Sequence, residues 1–293
     1  MNKGLDKYSI SVLMAGFCWG FMGFFTRNLA TFGIGPKDAI IVRCGVATIC
    51  FGLLILFTNP KQIMIKIKDI WCFLGSGILS LLFFTYCYFN AIELMSLSVA
   101  AILLYTAPTI VVILSAILFK EKLTKKKVIA LVLAFVGCCL VSGIAKGNLT
   151  ISFKGLLFGL GSGLGYALYT IFSRTAIDRG YHSNVINFYS CLFATIGAVA
   201  LWGVNDIGYV AMNIPSSIWW FLSLGAVTCF LPYMLYTYGL LGLENGKASV
   251  LASLEPVVAS LVGIIIYHES ISLFSFMGIV LVLLAVVFLN IDC

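Results

Sequence analysis

Apolar residues run along this chain in blocks of about twenty, and the charged residues gather in short clusters between the blocks. A helix of roughly twenty residues, rising about 1.5 Å per residue, crosses a hydrocarbon core about 30 Å thick. The pattern predicts ten such spans, at 10–29, 39–58, 70–92, 97–119, 127–145, 155–176, 184–203, 216–241, 247–267 and 271–290. Only short loops are left over, so no extramembrane domain is expected. The first span follows Lys3 and Lys7 as a signal peptide would, but it is long for one and has a counterpart within the chain.

That counterpart belongs to a duplication. Residues 88–121 align without a gap on 236–269 at an offset of 148, which sets Tyr88 on Tyr236, Ala100 on Ala248, Leu103 on Leu251, Pro108 on Pro256 and Glu121 on Glu269. The same offset lays 70–77 on 218–225 with five identities in eight positions. At an offset of 147, Arg27 meets Arg174, Cys44 meets Cys191, and Trp19 falls opposite Tyr166. Five spans per half is an odd number, so the second half should enter the membrane upside-down. The expected fold is an all-α membrane protein of ten transmembrane helices, built as two inverted-topology five-helix repeats. The first repeat is 1–146, a polar link covers 147–153, and the second repeat is 154–293. Such halves are the architecture of alternating access, with the solute site near mid-membrane between them.

Composition supports the class: 61% of residues are apolar and 10% charged, against about half and about a quarter in soluble domains. The net charge of +7 carries no nucleic-acid signal; its distribution matters instead. With the N-terminus placed in the cytoplasm, one side holds thirteen Lys and Arg residues, and the other holds only Arg27, Lys37, Lys146 and Lys154. This asymmetry predicts a multi-pass protein with both termini cytoplasmic. The run Lys125-Lys126-Lys127 reads as a topology determinant, and Trp71, Trp202, Trp219 and Trp220 read as anchors at the lipid headgroups. Most of the ten cysteines fall within spans, where thiols act as small apolar fillers, and no spacing points to zinc or a disulfide.

Two charged residues lie well inside spans, and each needs a partner, a wet cavity or a function. Arg43 is one turn from Asp38 and is expected to pair with it or to reach outward. Glu255 stands roughly 12 Å deep, counted from Lys247. Its repeat twin is Ala107, so building the repeat does not require the carboxylate. It is a candidate for binding a cation or taking up a proton; the plainer reading is a buried, hydrogen-bonded glutamate. Pro108 and Pro256 occupy equivalent mid-span positions, either as gating bends or as static kinks. Trp19, Tyr86, Asn90, Tyr105, Tyr166 and Tyr236 complete the candidate solute-binding set. With one carboxylate, these groups suit an amphipathic or cationic organic solute through stacking and cation–π contacts. His182 and His268 are far apart in sequence, and the chain shows no phosphate loop or hydrolytic constellation. No metal, no cofactor and no enzymatic activity are expected.

The Trp19-Gly20 pair, Arg43 and the Tyr105-x-x-Pro108 segment ending in Phe119-Lys120-Glu121 resemble the first half of an EamA-type transporter of the drug/metabolite transporter superfamily. Leu254-Glu255-Pro256-Val257 and the closing Glu269 resemble its second half. The resemblance covers essentially the whole chain. It implies an inverted five-plus-five fold whose central cavity is lined by spans one, three, four, six, eight and nine. It also implies transport, commonly export, of metabolites or amino acids across a bacterial inner membrane. Asn90 stands where many relatives carry an aromatic. The expected protein is a secondary transporter of small organic solutes such as amino acids or amines, with coupled protons and oligomeric state left open. A phosphorylated solute would call for several membrane-embedded cations. The alternatives are a membrane-embedded enzyme, which calls for a polar catalytic cluster, and a non-transporting sensor, which calls for an extramembrane domain.

Overall fold

The structure, a computed structural model, describes residues 6–142, 152–269 and 272–290; residues 147–151 of the expected link lie outside the described residues. The long helices are α1 (Lys7–Ala30), α2 (Pro36–Thr58), α3 (Ile67–Leu94), α4 (Ser98–Leu118), α5 (Lys125–Val141), α6 (Phe153–Asp178) and α7 (Ser183–Trp202). They continue, after the short surface helix α8 (Asn205–Asn213), with α9 (Ser217–Leu240), α10 (Asn245–Tyr267) and α11 (Leu273–Asn290). Among the described residues, nine of these helices are long and apolar enough to cross a membrane. The remaining predicted span, 127–145, is represented by α5, which has 17 residues and stands at the short limit for crossing. The last residues of that predicted span, 143–145, lie outside the described residues.

Apolar side chains cover the outside: Phe57, Ile117, Ile265 and Leu273 are exposed, while Ser76, Ser115, Ser162 and Asn187 are fully buried. A soluble domain has the reverse polarity. Here hydrocarbon is the outer solvent, and the small polar residues sit where helices meet.

The duplication is legible in the backbone. α4 is interrupted at Tyr105–Thr106 and α10 at Ser253–Leu254, positions 148 apart, each just before its proline. Both helices exit through a non-glycine residue of positive φ, Lys120 at 56° and His268 at 52°, again 148 apart. The next residues repeat as well: Glu121 N–H donates to the Ser115 carbonyl at 3.2 Å, and Glu269 N–H to the Gly263 carbonyl at 3.1 Å. Wide π-helical turns occupy Gly75–Leu82 in α3 and Ala226–Phe230 in α9, which overlap at the same offset. One glycine contact is repeated too. A Cβ on Gly16 would lie 3.1 Å from the Ala252 carbonyl oxygen, and one on Gly163 would lie 2.8 Å from that of Leu103. Glycine in α1 therefore lets the backbone of α10 approach, as glycine in α6 does for α4.

The wide turn in α9 accounts for Arg43. Pro232 has no N–H to give to the carbonyl four residues back. That carbonyl belongs to Thr228, and it accepts instead from Arg43 Nη2 at 3.1 Å. The expected pairing of Arg43 with Asp38 gives way to this contact. Asp38 Oδ2 accepts the Gly35 N–H at 3.2 Å, at the start of α2.

Candidate functional site

α6 supplies one wall of the centre. Tyr166, Tyr169, Thr170 and Ser173 recur at three- and four-residue spacing, which lines them along one helix face. Against this face α1 brings Trp19, and α9 brings Tyr233 and Tyr236. Trp19 lies 6.3 Å from its repeat twin Tyr166, ring centre to ring centre, 5.4 Å from Tyr233 and 5.5 Å from Tyr236. Tyr169 and Tyr233 are closer still, at 4.6 Å in an edge-on arrangement. These separations fall in the favourable range for aromatic pairs.

Hydrogen bonds fix the polar tips. The Tyr166 hydroxyl donates to Glu255 Oε2 at 3.2 Å. The hydroxyls of Tyr236 and Thr170 are 2.8 Å apart. Tyr169 donates to Asn187 Oδ1 at 2.5 Å, and Asn187 Nδ2 donates to Thr237 Oγ1 at 2.9 Å. Buried hydroxyls in hydrocarbon need such partners. Through the Tyr166 hydroxyl, the half-buried Glu255 carboxylate joins the edge of this aromatic cluster.

Two cavities meet at Tyr166. One is enclosed by Leu104, Tyr105, Ala107, Pro108, Tyr166, Ser249, Ala252, Ser253 and Glu255. The other is enclosed by Trp19, Ser80, Leu81, Phe84, Tyr166, Tyr169, Thr170, Tyr233 and Tyr236. Helices α1, α3, α4, α6, α9 and α10 thus surround the centre. The cavities measure about 10 and 20 Å³, room for about one water each. Admitting an organic solute requires the helices to part.

Of the residues singled out in the sequence, Trp19, Tyr105, Pro108, Tyr166, Tyr236 and Glu255 come together at these cavities, and Pro256 is buried immediately behind Glu255. Tyr86 and Asn90 do not join them. They line an outer groove with Lys37, Phe89, Glu93 and Trp202, and Asn90 Nδ2 donates to the Tyr86 carbonyl at 2.7 Å. Phe84 takes the inward face of α3, and positions two and six residues further along fall on the far side. Ser80, Phe84, Tyr169, Thr170, Ser249 and Ser253 were not anticipated. Helical spacing from Tyr166 is the signal that finds Tyr169 and Thr170, whereas the serines carry none beyond their size.

The basic run at the start of α5 is not uniform. Lys127 is 4% exposed and donates to Glu244 at 2.7 Å and to Glu121 at 3.3 Å. It is part of the helix packing as well as of the charge asymmetry.

A multi-pass bundle of two like halves around a buried polar centre is the architecture of a membrane transporter. The chain belongs to the EamA-like transporter family, whose model matches residues 7–143 and again 153–291. It is 33% identical over 201 residues to an uncharacterised transporter of Archaeoglobus fulgidus, covering 68% of this chain and 69% of that one. It is 25% identical over 287 residues to the uncharacterised transporter YwfM of Bacillus subtilis, covering 97% and 93%. A solved crystal structure superposes with a TM-score of 0.78 over 96% of this chain and 95% of its own, at 17% identity. That last likeness shows the fold alone.

Proposed function

We propose that the chain is a secondary transporter that moves small cationic or amphipathic organic solutes, such as amines or amino acids, by alternating access and in the direction of export. One observation carries this reading: the Glu255 carboxylate is hydrogen-bonded by Tyr166, whose ring packs against Trp19, the centre of a cluster with Tyr233 and Tyr236. Aromatic faces and a carboxylate together recognise an organic cation. Ten helices in two inverted repeats, 1–146 and 154–293, supply the framework. The repeated breaks and exits of α4 and α10 support the duplication. The C-terminal half of α4 lies along the N-terminal half of α10, which supports the inversion. The charge asymmetry supports a cytoplasmic-membrane location with both termini inside. Reporter fusions after Asn59 and Asp292 should read cytoplasm, and one after Asn148 the exterior.

The test is a thermal-shift screen of the purified protein against amines, amino acids and neutral analogues, followed by flux in proteoliposomes. Amines should stabilise the wild type, and Glu255→Gln should lose that stabilisation. If Glu255 also carries a coupling proton, Glu255→Gln flux should no longer respond to a pH gradient. Wild-type binding, flux and pH response in Glu255→Gln would remove both roles.

A further inference from the structure

Glu121 and Glu269 are repeat twins with identical backbone settings, yet their carboxylates are differently engaged. Glu121 Oε1 accepts the Asn245 N–H at 2.7 Å, and its Oε2 accepts the Gly246 N–H at 3.2 Å. These are the first amides of α10, where a helix has unpaired donors and the positive end of its dipole. Lys127 braces the contact by bridging Glu121 and Glu244, and Asn245 Nδ2 reaches Ser115 Oγ at 3.2 Å. Gly246 makes room for it: a Cβ there would lie 3.0 Å from Val112 Cγ2 and 3.2 Å from Lys127 Cδ.

The equivalent amides for Glu269 are those of Leu97 and Ser98, at the start of α4. Glu269 is instead paired with Arg27 at 2.8 Å, both side chains more than half exposed. The start of α4 is capped from within its own chain segment, by Ser96 Oγ accepting the Val99 N–H at 3.4 Å. Packing follows the same division. The C-terminal half of α4 lies along the N-terminal half of α10, and no comparable packing joins the opposite halves among the described residues. The pair is shut at the Glu121 end and parted at the Glu269 end.

We propose that Glu121 and Glu269 are reciprocal latches, each clamping the first amides of the other repeat's helix, with Glu121 engaged and Glu269 released in this conformation. In the opposite conformation Glu269 takes the Leu97 and Ser98 amides, and Glu121 lets go of Asn245 and Gly246. The latch rests on the alternating-access reading. The two can fail separately, because the latch is read from backbone amides and the transport from flux. A carboxylate on helix-terminal amides makes strong, charge-assisted hydrogen bonds, and the rigid exit at Lys120 or His268 holds each carboxylate at its post.

Hydrogen–deuterium exchange followed by mass spectrometry, on the full-length protein in lipid nanodiscs, tests this directly. In the wild type, amides 245–248 should exchange slowly and the twin amides 97–100 quickly. Glu121→Gln should speed 245–248 by about tenfold or more and slow 97–100, because release at one end permits closure at the other. Glu269→Gln, at an exposed position that folding tolerates, should leave 245–248 slow and remove any slow fraction at 97–100. In the double variant both segments should be fast. Faster exchange at 245–248 without slowing at 97–100 would reduce Glu121 to a static cap and overturn the proposal. Unchanged exchange at 245–248 would overturn it as well. Reciprocal exchange without flux of any amine or amino acid would keep the latch and remove the proposed transport function.

Discussion

α4 and α10 are built on one backbone plan used twice, and two of their differences stand out. Break, proline, positive-φ exit and following glutamate repeat at an offset of 148. What repeats is backbone geometry, which both halves need if both make the same movement. What differs is chemistry: position 107 is alanine where 255 is glutamate, and Glu121 is engaged where Glu269 is half exposed. On the proposed reading, the comparison separates the elements that would move, which come in pairs, from the carboxylate proposed to recognise the solute, which has no twin.

The largest effect should come from the closed end. Lys127 is buried between two carboxylates, and removing one partner of a buried ion pair leaves an uncompensated charge, at a cost of about 3–5 kcal/mol. Lys127→Met should lower unfolding stability in detergent by an amount of that order, and Lys127→Arg should recover part of it. A loss below about 1 kcal/mol would mean that the bridge contributes no more than an exposed pair, and the closed end would owe its closure to apolar packing alone.

Next in size is the repeated glycine contact. Gly163→Ala puts a methyl 2.6 Å from Thr106 Oγ1 and 2.8 Å from the Leu103 carbonyl oxygen, while the closest contact for Gly16→Ala is 3.1 Å. Overpacking of this kind costs roughly 1–3 kcal/mol, so Gly163→Ala should be clearly destabilised in a thermal unfolding assay and Gly16→Ala less so. Equal losses would mean that the two helix crossings are equally tight, and the difference between the halves would narrow to α4 and α10.

These contacts show what the sequence alone could reveal. The spans, the duplication and the isolation of Glu255 rest on residue type and spacing, and a chain displays those directly. Trp19 meeting Tyr166 could be anticipated because they are repeat twins. Tyr86 and Asn90 fit the sequence pattern because they share a helix face, but nothing local says which face of α3 turns inward; Phe84 and the packing of α3 on α6 decide that. Lys127 was hidden for a related reason. Its partner Glu244 is 117 residues away, and a lysine in a basic run looks the same whether solvated or buried. The Thr228 carbonyl that receives Arg43 was readable in principle, since Pro232 lies four residues beyond it.

The prolines should give a kinetic effect. Pro108→Ala and Pro256→Ala restore an N–H that can bond the carbonyls of Leu104 and Ala252, which stiffens each break. Expression and insertion should remain near normal while proteoliposome flux slows several-fold, more for Pro256→Ala because Glu255 rides on the same turn. Full-rate flux by both variants would make the breaks static kinks and leave the pairing of α4 with α10 a matter of construction alone.

The smallest effect is expected at the parted end. Arg27 and Glu269 form an ion pair with both side chains more than half exposed, and Arg27 also lies over the Tyr267 ring at 4.5 Å. Exposed pairs contribute about 0–1 kcal/mol and weaken with salt. Arg27→Gln should therefore change unfolding stability by less than about 1 kcal/mol, with the difference shrinking further at high ionic strength. The contrast with Lys127→Met carries the argument, since the two variants remove the cation facing twin glutamates at opposite ends of one helix pair. A loss for Arg27→Gln as large as for Lys127→Met would mean that both ends are held with equal strength, and the distinction between a latched and a released end would collapse.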